Sequence, residues 1–176
     1  MNSNIDLKIS MQQLSGILDG VSDTGAEICV TVNGTSMEPF LHHGQDKVFF
    51  STLPEKLRRG DILLFKRPSG KHVMHRLYSI DEDGTFSFVG DAQVYPDKNI
   101  PRKNILYYVP KVIRNGKEIN CNKGFWRFIM TLYMIVRVKH PKLTLKTAKL
   151  YRRIVRAIKN PLLALSKIRE RIFNKN

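Results

Sequence analysis

The pattern of hydrophobic and polar residues divides the chain into three parts, and the first is helical at its start. Its apolar side chains recur at a mixed spacing of three to five residues, as at Ile5, Ile9, Leu14, Ile17 and Leu18. Such spacing places them on one side of a helix. Gly20 and Gly25 then mark its end. Residues 1–27 are therefore expected to form a short N-terminal helical segment.

The second part, residues 28–120, consists of short runs of β-branched and aromatic residues separated by turn residues. The predicted strands are Cys29–Val32, Lys47–Ser51, Asp61–Lys66, His72–Ile80, Thr85–Val89, Ile105–Val109 and Val112–Arg114. Turn sequences lie at 68–70 (PSG), 81–84 (DEDG) and 115–116 (NG), and the last two suit hairpins. Closely spaced short strands with such turns predict a mainly β fold, a coiled antiparallel β-domain.

The third part, residues 121–176, returns to a helical pattern that is basic and amphipathic. Between 144 and 159, apolar residues centred on Tyr151 share one helix face and five Lys or Arg residues occupy the other. Asn160 and Pro161 have the residue types of an N-cap and a first helical position, so a last short helix is expected there. This part is predicted to be a basic helical tail.

The positive charge of the protein is confined to that tail. The chain carries 30 Lys and Arg against 15 Asp and Glu, for a net charge of +15. Residues 1–120 carry a net charge of only +1, and residues 121–176 carry +14 with Glu170 as their single acid. Such asymmetry indicates nucleic acid or an anionic membrane surface as the partner of the tail.

Neither a cleavable signal peptide nor a membrane-spanning helix is expected. The N-terminus has no basic region followed by an apolar core. The longest apolar candidate, residues 125–138, is interrupted by Arg127 and Arg137. The residues between these two arginines would span only about 14 Å as a helix, too little to cross a bilayer unaided. The two cysteines, Cys29 and Cys121, are expected to be reduced thiols.

The segment with the strongest indication of chemistry is VNGTSMEPFLHHGQDKVFF, residues 32–50. The small-residue turn Asn33-Gly34-Thr35 presents Ser36, and Met37, Glu38 and Pro39 follow it. A nucleophilic serine needs such a tight turn, because its hydroxyl must project while backbone N–H groups face the developing oxyanion. From local chemistry alone, Ser36 could equally be solvated polar surface.

Four motifs in order resemble those of type I signal peptidases and the related LexA-type self-cleaving repressors. GTSMEPFL (34–41) resembles the serine motif, RRGDILLF (58–65) the next Gly-Asp motif, VMHRLYSI (73–80) the motif of the general base, and GDAQVYPD (90–97) the closing Gly-Asp motif. The resemblance covers roughly residues 28–113. It implies a serine endopeptidase, with Ser36 as the nucleophile, on the coiled β fold of that superfamily.

The resemblance implies that His75 is the general base. Bacterial signal peptidases and LexA relatives have lysine at this position, whereas the archaeal and endoplasmic-reticulum branch has histidine. The exchange is chemically sensible, because an unperturbed imidazole titrates near neutrality whereas a lysine would need burial to lose its proton. Lys71 shares a strand face with His75 and stays an alternative base. A half-buried histidine bonded to backbone is the structural alternative.

The closing motif implies the acids of the site. We expect Asp97 to orient the imidazole and Asp91 to act as a turn cap or support, although both could simply satisfy turns. Gly34 stands where some relatives carry an extra serine donor. Oxyanion stabilisation is therefore expected from backbone N–H groups, with that of Ser36 first and with Gly34, Thr35 and Met37 in support. No cofactor is expected.

No metal site is expected either, because the adjacent His42 and His43 point apart on a strand and no cysteine or carboxylate cluster joins them.

The first functional hypothesis is a signal peptidase-type serine endopeptidase that cleaves an extended peptide at or near a membrane. The tail 121–176 would bind an anionic membrane peripherally, on its cytoplasmic side, and no specific nucleic acid partner is expected. Alternatively, the apolar side of the tail packs on the β-domain and its basic side is solvated. One competing function is a LexA-like regulator, which would need an upstream DNA-binding module and a self-cleavage site. The roughly 30 residues before the β-domain are too few for a full helix-turn-helix domain, and lysine is missing at the base position. The other competing function is a non-catalytic membrane-binding module.

Overall fold

The computed structural model describes residues 28–140, 142–143, 146–147, 150 and 153. The helix predicted within residues 1–27 and the short helix predicted after Asn160 lie outside these residues. Most of the amphipathic pattern between 144 and 159 also lies outside them.

The described part of the chain contains eight strands and the helix Gly124–Lys139, with further helical residues at 142–143, 146–147, 150 and 153. The strands are β1 (Ile28–Thr31), β2 (Lys47–Ser51), β3 (Ile62–Lys66), β4 (His72–Ile80), β5 (Phe86–Val89), β6 (Asp97–Ile100), β7 (Ile105–Arg114) and β8 (Lys117–Asn120). A 3-10 turn at Arg102–Asn104 precedes β7, and helix α1 (Gly124–Lys139) follows β8.

The strands form one antiparallel sheet in the order β1-β2-β7-β3-β4-β5-β6, with β8 paired to β7. The predicted mainly β fold is therefore confirmed. The two runs expected at 105–109 and 112–114 are a single strand, β7, because its first half pairs with β3 and its second half with β8 while β2 lies along its other side. Strand β6 was not predicted, since its sequence DKNI is short and polar.

Alternation along β3 and β4 separates two buried apolar clusters. Even-numbered residues such as Ile62, Leu64 and Met74 belong to the first cluster, together with Met37 and Phe40. Odd-numbered residues such as Leu63, Phe65 and Leu77 belong to the second. Because successive side chains of a strand point to opposite faces, His75 and Arg76 must also face opposite ways.

Helix α1 contacts the β-domain through polar groups as well as apolar ones, and its Trp126 ring lies 6.1 Å from that of Phe40. Arg127 Nη1 donates to Asp61 Oδ1 at 2.6 Å, and Arg137 donates to the backbone oxygens of Gly90 and Gln93. Met134 is buried beside Gly60, where a Cβ would lie 3.3 Å from Met134 Cγ. The arginines that interrupt the apolar segment in sequence therefore point into the molecule.

Two further expectations concern membranes and cysteines. In the described part of the chain, no helix combines the length and hydropathy that crossing a membrane requires. Cys29 is half-buried and Cys121 is buried, and in the described part of the chain both side chains are thiols rather than a disulfide.

Candidate active site

Ser36 lies in the turn that follows β1. The ends of this turn are fixed, because Met37 and Leu41 are buried in the first cluster and the Leu41 N–H donates to the Met37 oxygen at 2.9 Å. Gly34 has a φ of +113°, a conformation that favours glycine. Gly34 and Thr35 are exposed and Ser36 is half-buried. The Ser36 hydroxyl can therefore be presented from a turn whose ends are anchored in the core.

His75 lies in the middle of β4 with its side chain fully buried. Its ring faces the second cluster, 5.9 Å from the ring of Phe65 between centroids. Its Nδ1 lies 3.0 Å from Asp97 Oδ2. Among the described residues its Nε2 has no hydrogen-bond partner. One nitrogen of the imidazole is therefore held by a carboxylate, and the other is available to a reacting group.

Asp97 begins β6, where it pairs with Phe88 of β5, and its carboxylate contacts two basic groups. Besides His75, Arg67 donates through Nη2 to the same oxygen, Asp97 Oδ2, at 2.7 Å. Burial alone would raise the pKa of Asp97, but the hydrogen bonds from His75 and Arg67 and the charge of Arg67 outweigh it, so the pKa is lowered. The carboxylate is thus held ionised.

Gly90 brings the backbone of Ser36 and the free nitrogen of His75 together. A Cβ on Gly90 would lie 2.6 Å from the Ser36 backbone oxygen and 3.0 Å from His75 Nε2. The Ala92 N–H also donates to the Ser36 oxygen at 2.8 Å. The absence of a side chain at Gly90 therefore permits the close approach of Ser36 to Nε2, which faces the Ser36 segment while Nδ1 faces Asp97.

Asp91 lies on the other face and contacts Arg76 instead of His75. Arg76 Nε lies 2.9 Å and 3.1 Å from the two carboxylate oxygens of Asp91, and both side chains are 1% exposed. Arg76 Nη1 also donates to the Gly60 oxygen at 3.1 Å, and its guanidinium lies 4.4 Å above the Phe40 ring. Asp91 thus forms part of a sealed ion pair beneath the loop.

His42 and His43, the two histidines that follow the serine turn, have structural partners. His43 Nδ1 accepts from the Gly34 N–H at 3.1 Å, which supports the serine turn from outside. His42 Nδ1 lies 3.2 Å from Asp46 Oδ2, and Asp46 also accepts from Arg114 at 2.8 Å. Within the described ranges, no group of three or more His, Cys, Asp or Glu side chains could hold a metal ion.

Of the predicted site residues, the structure pairs His75 with Asp97, places the Ser36 backbone oxygen and His75 Nε2 on either side of Gly90, and pairs Asp91 with Arg76. Gly34 and Thr35 line the exposed side of the serine turn, and Met37 anchors its buried side. Lys71, the alternative base, is exposed in the turn before β4.

Sequence reasoning missed Arg67. It lies directly after β3 in a hairpin turn, 30 residues before Asp97, and no local pattern connects the two.

Comparison with known families adds one finding. A family model described as Peptidase S24-like matches residues 3–113, which is more than half of the chain and includes all four motifs. No curated protein matches the chain.

Proposed function

Because the chain belongs to the Peptidase S24-like family, within the superfamily of LexA-like and signal peptidase-like serine peptidases, we propose that it is a serine endopeptidase of the signal peptidase type. Family membership supports a serine peptidase or a LexA-like module. The proposal adds that Ser36 is the nucleophile, that His75 is its general base and that the substrate is an extended peptide.

The observation that carries the proposal is the orientation of the His75 ring. Asp97 holds Nδ1 at 3.0 Å, and Nε2 lies next to the point at which Gly90 approaches the Ser36 backbone. A carboxylate on Nδ1 fixes the tautomer that carries the proton there and leaves the Nε2 lone pair available as a base. This arrangement suits proton transfer from a serine hydroxyl once the Ser36 side chain turns toward Nε2.

In the proposed reaction, Ser36 Oγ attacks the scissile carbonyl carbon while Nε2 takes the hydroxyl proton. The carbonyl electron pair moves to oxygen, and its return breaks the C–N bond. The leaving amine takes the proton from Nε2, and an acyl ester remains on Ser36. Water then gives a proton to Nε2 and attacks the ester carbon. The ester C–O bond breaks, and the Ser36 oxygen recovers the proton.

Asp97 stabilises the imidazolium that forms in each half of the reaction, and Arg67 is a positioning residue for Asp97. The 2.7 Å contact from Arg67 fixes the carboxylate and helps to lower its pKa. An ionised carboxylate is the form that stabilises a neighbouring positive charge.

Oxyanion stabilisation is proposed to come from the backbone of the serine turn. Among the described residues, the Ser36 N–H has no acceptor, so it can donate to a developing oxyanion. The positive φ of Gly34 shapes the turn, and the His43 contact to the Gly34 N–H supports it. A second donor would come from the same turn, for which Met37 is the adjacent candidate.

The β architecture of the site supports a proposal for the substrate class. We propose that an extended peptide binds alongside a strand of the site, so that its backbone hydrogen bonds give affinity and its side chains near the cut give selectivity. We also propose that the reaction takes place at an anionic membrane surface, to which the basic residues of 121–176 are attracted.

Cleavage of a diverse peptide mixture, with new termini mapped by mass spectrometry, tests this function. The wild-type chain should cut at defined positions, Ser36→Ala should abolish every cut, and Ser69→Ala, at an exposed turn serine, should retain them. Cuts that persist in Ser36→Ala would contradict the proposal. A folded wild-type protein that cuts no peptide favours the LexA-like or non-catalytic module instead.

A further inference from the structure

The outer face of α1 carries a row of exposed large apolar side chains. Phe125 is 70% exposed, Phe128 66%, Leu132 49% and Ile135 44%. The steps of three, four and three residues between them align these side chains along one side of a helix. We refer to these four residues as the α1 stripe. Apolar side chains are ordinarily turned inward in such a helix, so an outward row indicates an interaction surface.

The inner face of α1 explains why the stripe points outward. Arg127 and Arg137 are both directed at the β-domain, where Asp61 and the backbone oxygens of Gly90 and Gln93 accept from them. Met134 is 1% exposed on the same side. These polar anchors fix the rotation of the helix. The exposed residues of α1 between Lys123 and Lys139 therefore carry no charged side chain.

Exposed cations flank the stripe at both ends. Lys123 lies just before the helix, Lys139 ends it, and the described residues beyond it include three more exposed cations, Lys142, Lys146 and Arg153. The helix contains no acidic residue, and the segment 121–176 has a single one. This arrangement matches the surface of an anionic bilayer. The apolar row would contact the acyl chains, and the basic residues at its two ends would contact the anionic headgroups.

We propose that the α1 stripe is a docking surface for an anionic lipid bilayer, on which α1 lies in the plane of the interface. Charge complementarity decides the occupant. A second copy would bring its own basic ends against these, and like charges repel. A nucleic acid would use the cations but leave the four apolar side chains in water.

A cleft beside the stripe enlarges the apolar surface. It has a volume of about 400 Å³ between α1 and β4, and its lining combines the apolar residues Leu77, Ile80, Met134 and Ile135 with the polar residues Arg59, Ser79 and Thr131. Ile80 is itself 55% exposed at the end of β4. Ile135 belongs both to the stripe and to the lining of the cleft, so the cleft continues the stripe toward β4.

Docking on lipid would also set the position of the candidate active site. The inner face of α1 contacts the loop beside Ser36 and His75, because Arg137 Nη2 lies 3.4 Å from the Gly90 oxygen and Tyr133 Oη 3.5 Å from the Asp91 oxygen. That the lipid surface presents peptides to this site rests on the proposed function. Lipid binding by the stripe does not depend on it.

Co-sedimentation with vesicles tests the proposal on the full-length Ser36→Ala protein, so that its outcome is independent of peptidase activity. We expect binding to vesicles of equimolar phosphatidylglycerol and phosphatidylcholine. Replacing Phe125, Phe128 and Leu132 together by serine, which leaves the charge unchanged, should weaken binding at least tenfold. The matched control replaces Val94 and Tyr95, exposed apolar residues outside α1, and should bind as the parent does.

A measurement on the unaltered helix covers the case in which the triple variant does not fold. Trp126, the single tryptophan of the chain, packs on Phe40 of the first cluster, but its ring also lies 6.1 Å from that of Phe125 in the stripe, so brominated acyl chains around the stripe should quench part of its fluorescence when the protein binds. Bound protein without quenching contradicts the proposal, as does a folded triple variant that binds like the parent. Stripe-dependent dimerisation without lipid binding would identify a second copy as the occupant. Vesicle binding only after deletion of residues 141–176 would identify that segment of the chain as the occupant of the stripe.

Discussion

Two neighbouring residues of β4 illustrate how one strand supplies two different kinds of charged pair. His75 pairs with Asp97 on one face of the sheet, and Arg76 pairs with Asp91 on the other. In the Arg76–Asp91 pair both side chains are 1% exposed. In the His75–Asp97 pair the imidazole is fully buried, but Asp97 is 20% exposed and Arg67 reaches it from the solvent side.

The two pairs differ in solvent access and in the position of the nitrogen atoms that do not contact the carboxylate. Arg76 also donates through Nη1 to the Gly60 oxygen and lies over Phe40, so its pair is buried and held by two further contacts, while its Nη2 has no hydrogen-bond partner among the described residues. His75 keeps Nε2 beside the Ser36 segment. A fully buried ion pair contributes rigidity. A pair whose imidazole keeps one nitrogen without a hydrogen-bond partner, as His75 does among the described residues, can accept and return a proton. Changes to the two pairs should therefore affect different properties.

His75→Gln should have the largest effect, because it removes the base but keeps a polar group of similar size. We expect kcat to fall by about 10⁴-fold with little change in thermal stability. Peptide cleavage rates and thermal unfolding curves measure the two effects. His72→Gln, on the same strand but facing the other way, should change the rate by only a few fold. An equal loss in both variants would show that strand disruption, not a lost base, is responsible.

Asp97→Asn should have the next largest effect on kcat, because an amide neither stabilises an imidazolium nor fixes the same tautomer. The expected loss in kcat is about 10³-fold, with KM nearly unchanged. Steady-state kinetics on a cleaved peptide measure both constants. A loss confined to KM would instead place Asp97 in substrate binding.

Asp91→Asn should act on stability, because it leaves the Arg76 charge buried without a counterion. We expect the free energy of unfolding to fall by about 3 kcal/mol, measured by chemical denaturation. The double variant Asp91→Leu with Arg76→Met removes both charges and should recover most of the loss. A single variant as stable as the wild type would show that the pair is not sealed.

Arg67→Met should reduce kcat by only about tenfold, since Arg67 acts through Asp97. The substitution should also raise the pH at which the protein unfolds in acid. The lowered pKa of Asp97 contributes stability that is present above the ordinary carboxyl pKa and is lost as pH falls through the lower folded value. Without Arg67 this loss should occur at a higher pH, measured by acid unfolding of both proteins. Coinciding acid-unfolding curves would contradict the role given to Arg67.

The smallest expected effect is a loss of stability at alkaline pH that depends on Cys121. Burial raises the pKa of this thiol, which belongs to the first apolar cluster, to about 11. Its stabilising effect is complete below the ordinary thiol pKa and is lost as pH rises toward the folded value. The wild type should lose about 1 kcal/mol between pH 9 and pH 10 that Cys121→Ala does not lose. Parallel profiles for the two proteins would exclude the thiol as the cause.

The strands were predictable where alternation and turn residues agree, as in β4 and its DEDG hairpin to β5. They were not predictable where pairing overrides composition. Pro110 suggests a break, yet β7 continues through it because different partners lie along its two halves. The polar strand β6 forms because β5 supplies its ladder.

Within the candidate site, the motifs indicated Ser36, His75 and Asp97, because these residues lie in recognisable local sequences. Arg67 could not be found in this way, since its contact with Asp97 joins residues that are distant in sequence. The orientation of α1 was equally hidden. The sequence shows two arginines within an apolar segment, and only the positions of Asp61 and the Gly90 loop reveal which way they point.

The most direct test of the central claim is labelling by a fluorophosphonate, with the adduct mapped by mass spectrometry. We expect a single adduct on Ser36 in the wild type, none in Ser36→Ala, and a rate of labelling in His75→Gln that falls by about the same factor as peptide cleavage. Labelling of a different serine, or labelling of Ser36 at the wild-type rate in His75→Gln, would contradict that claim.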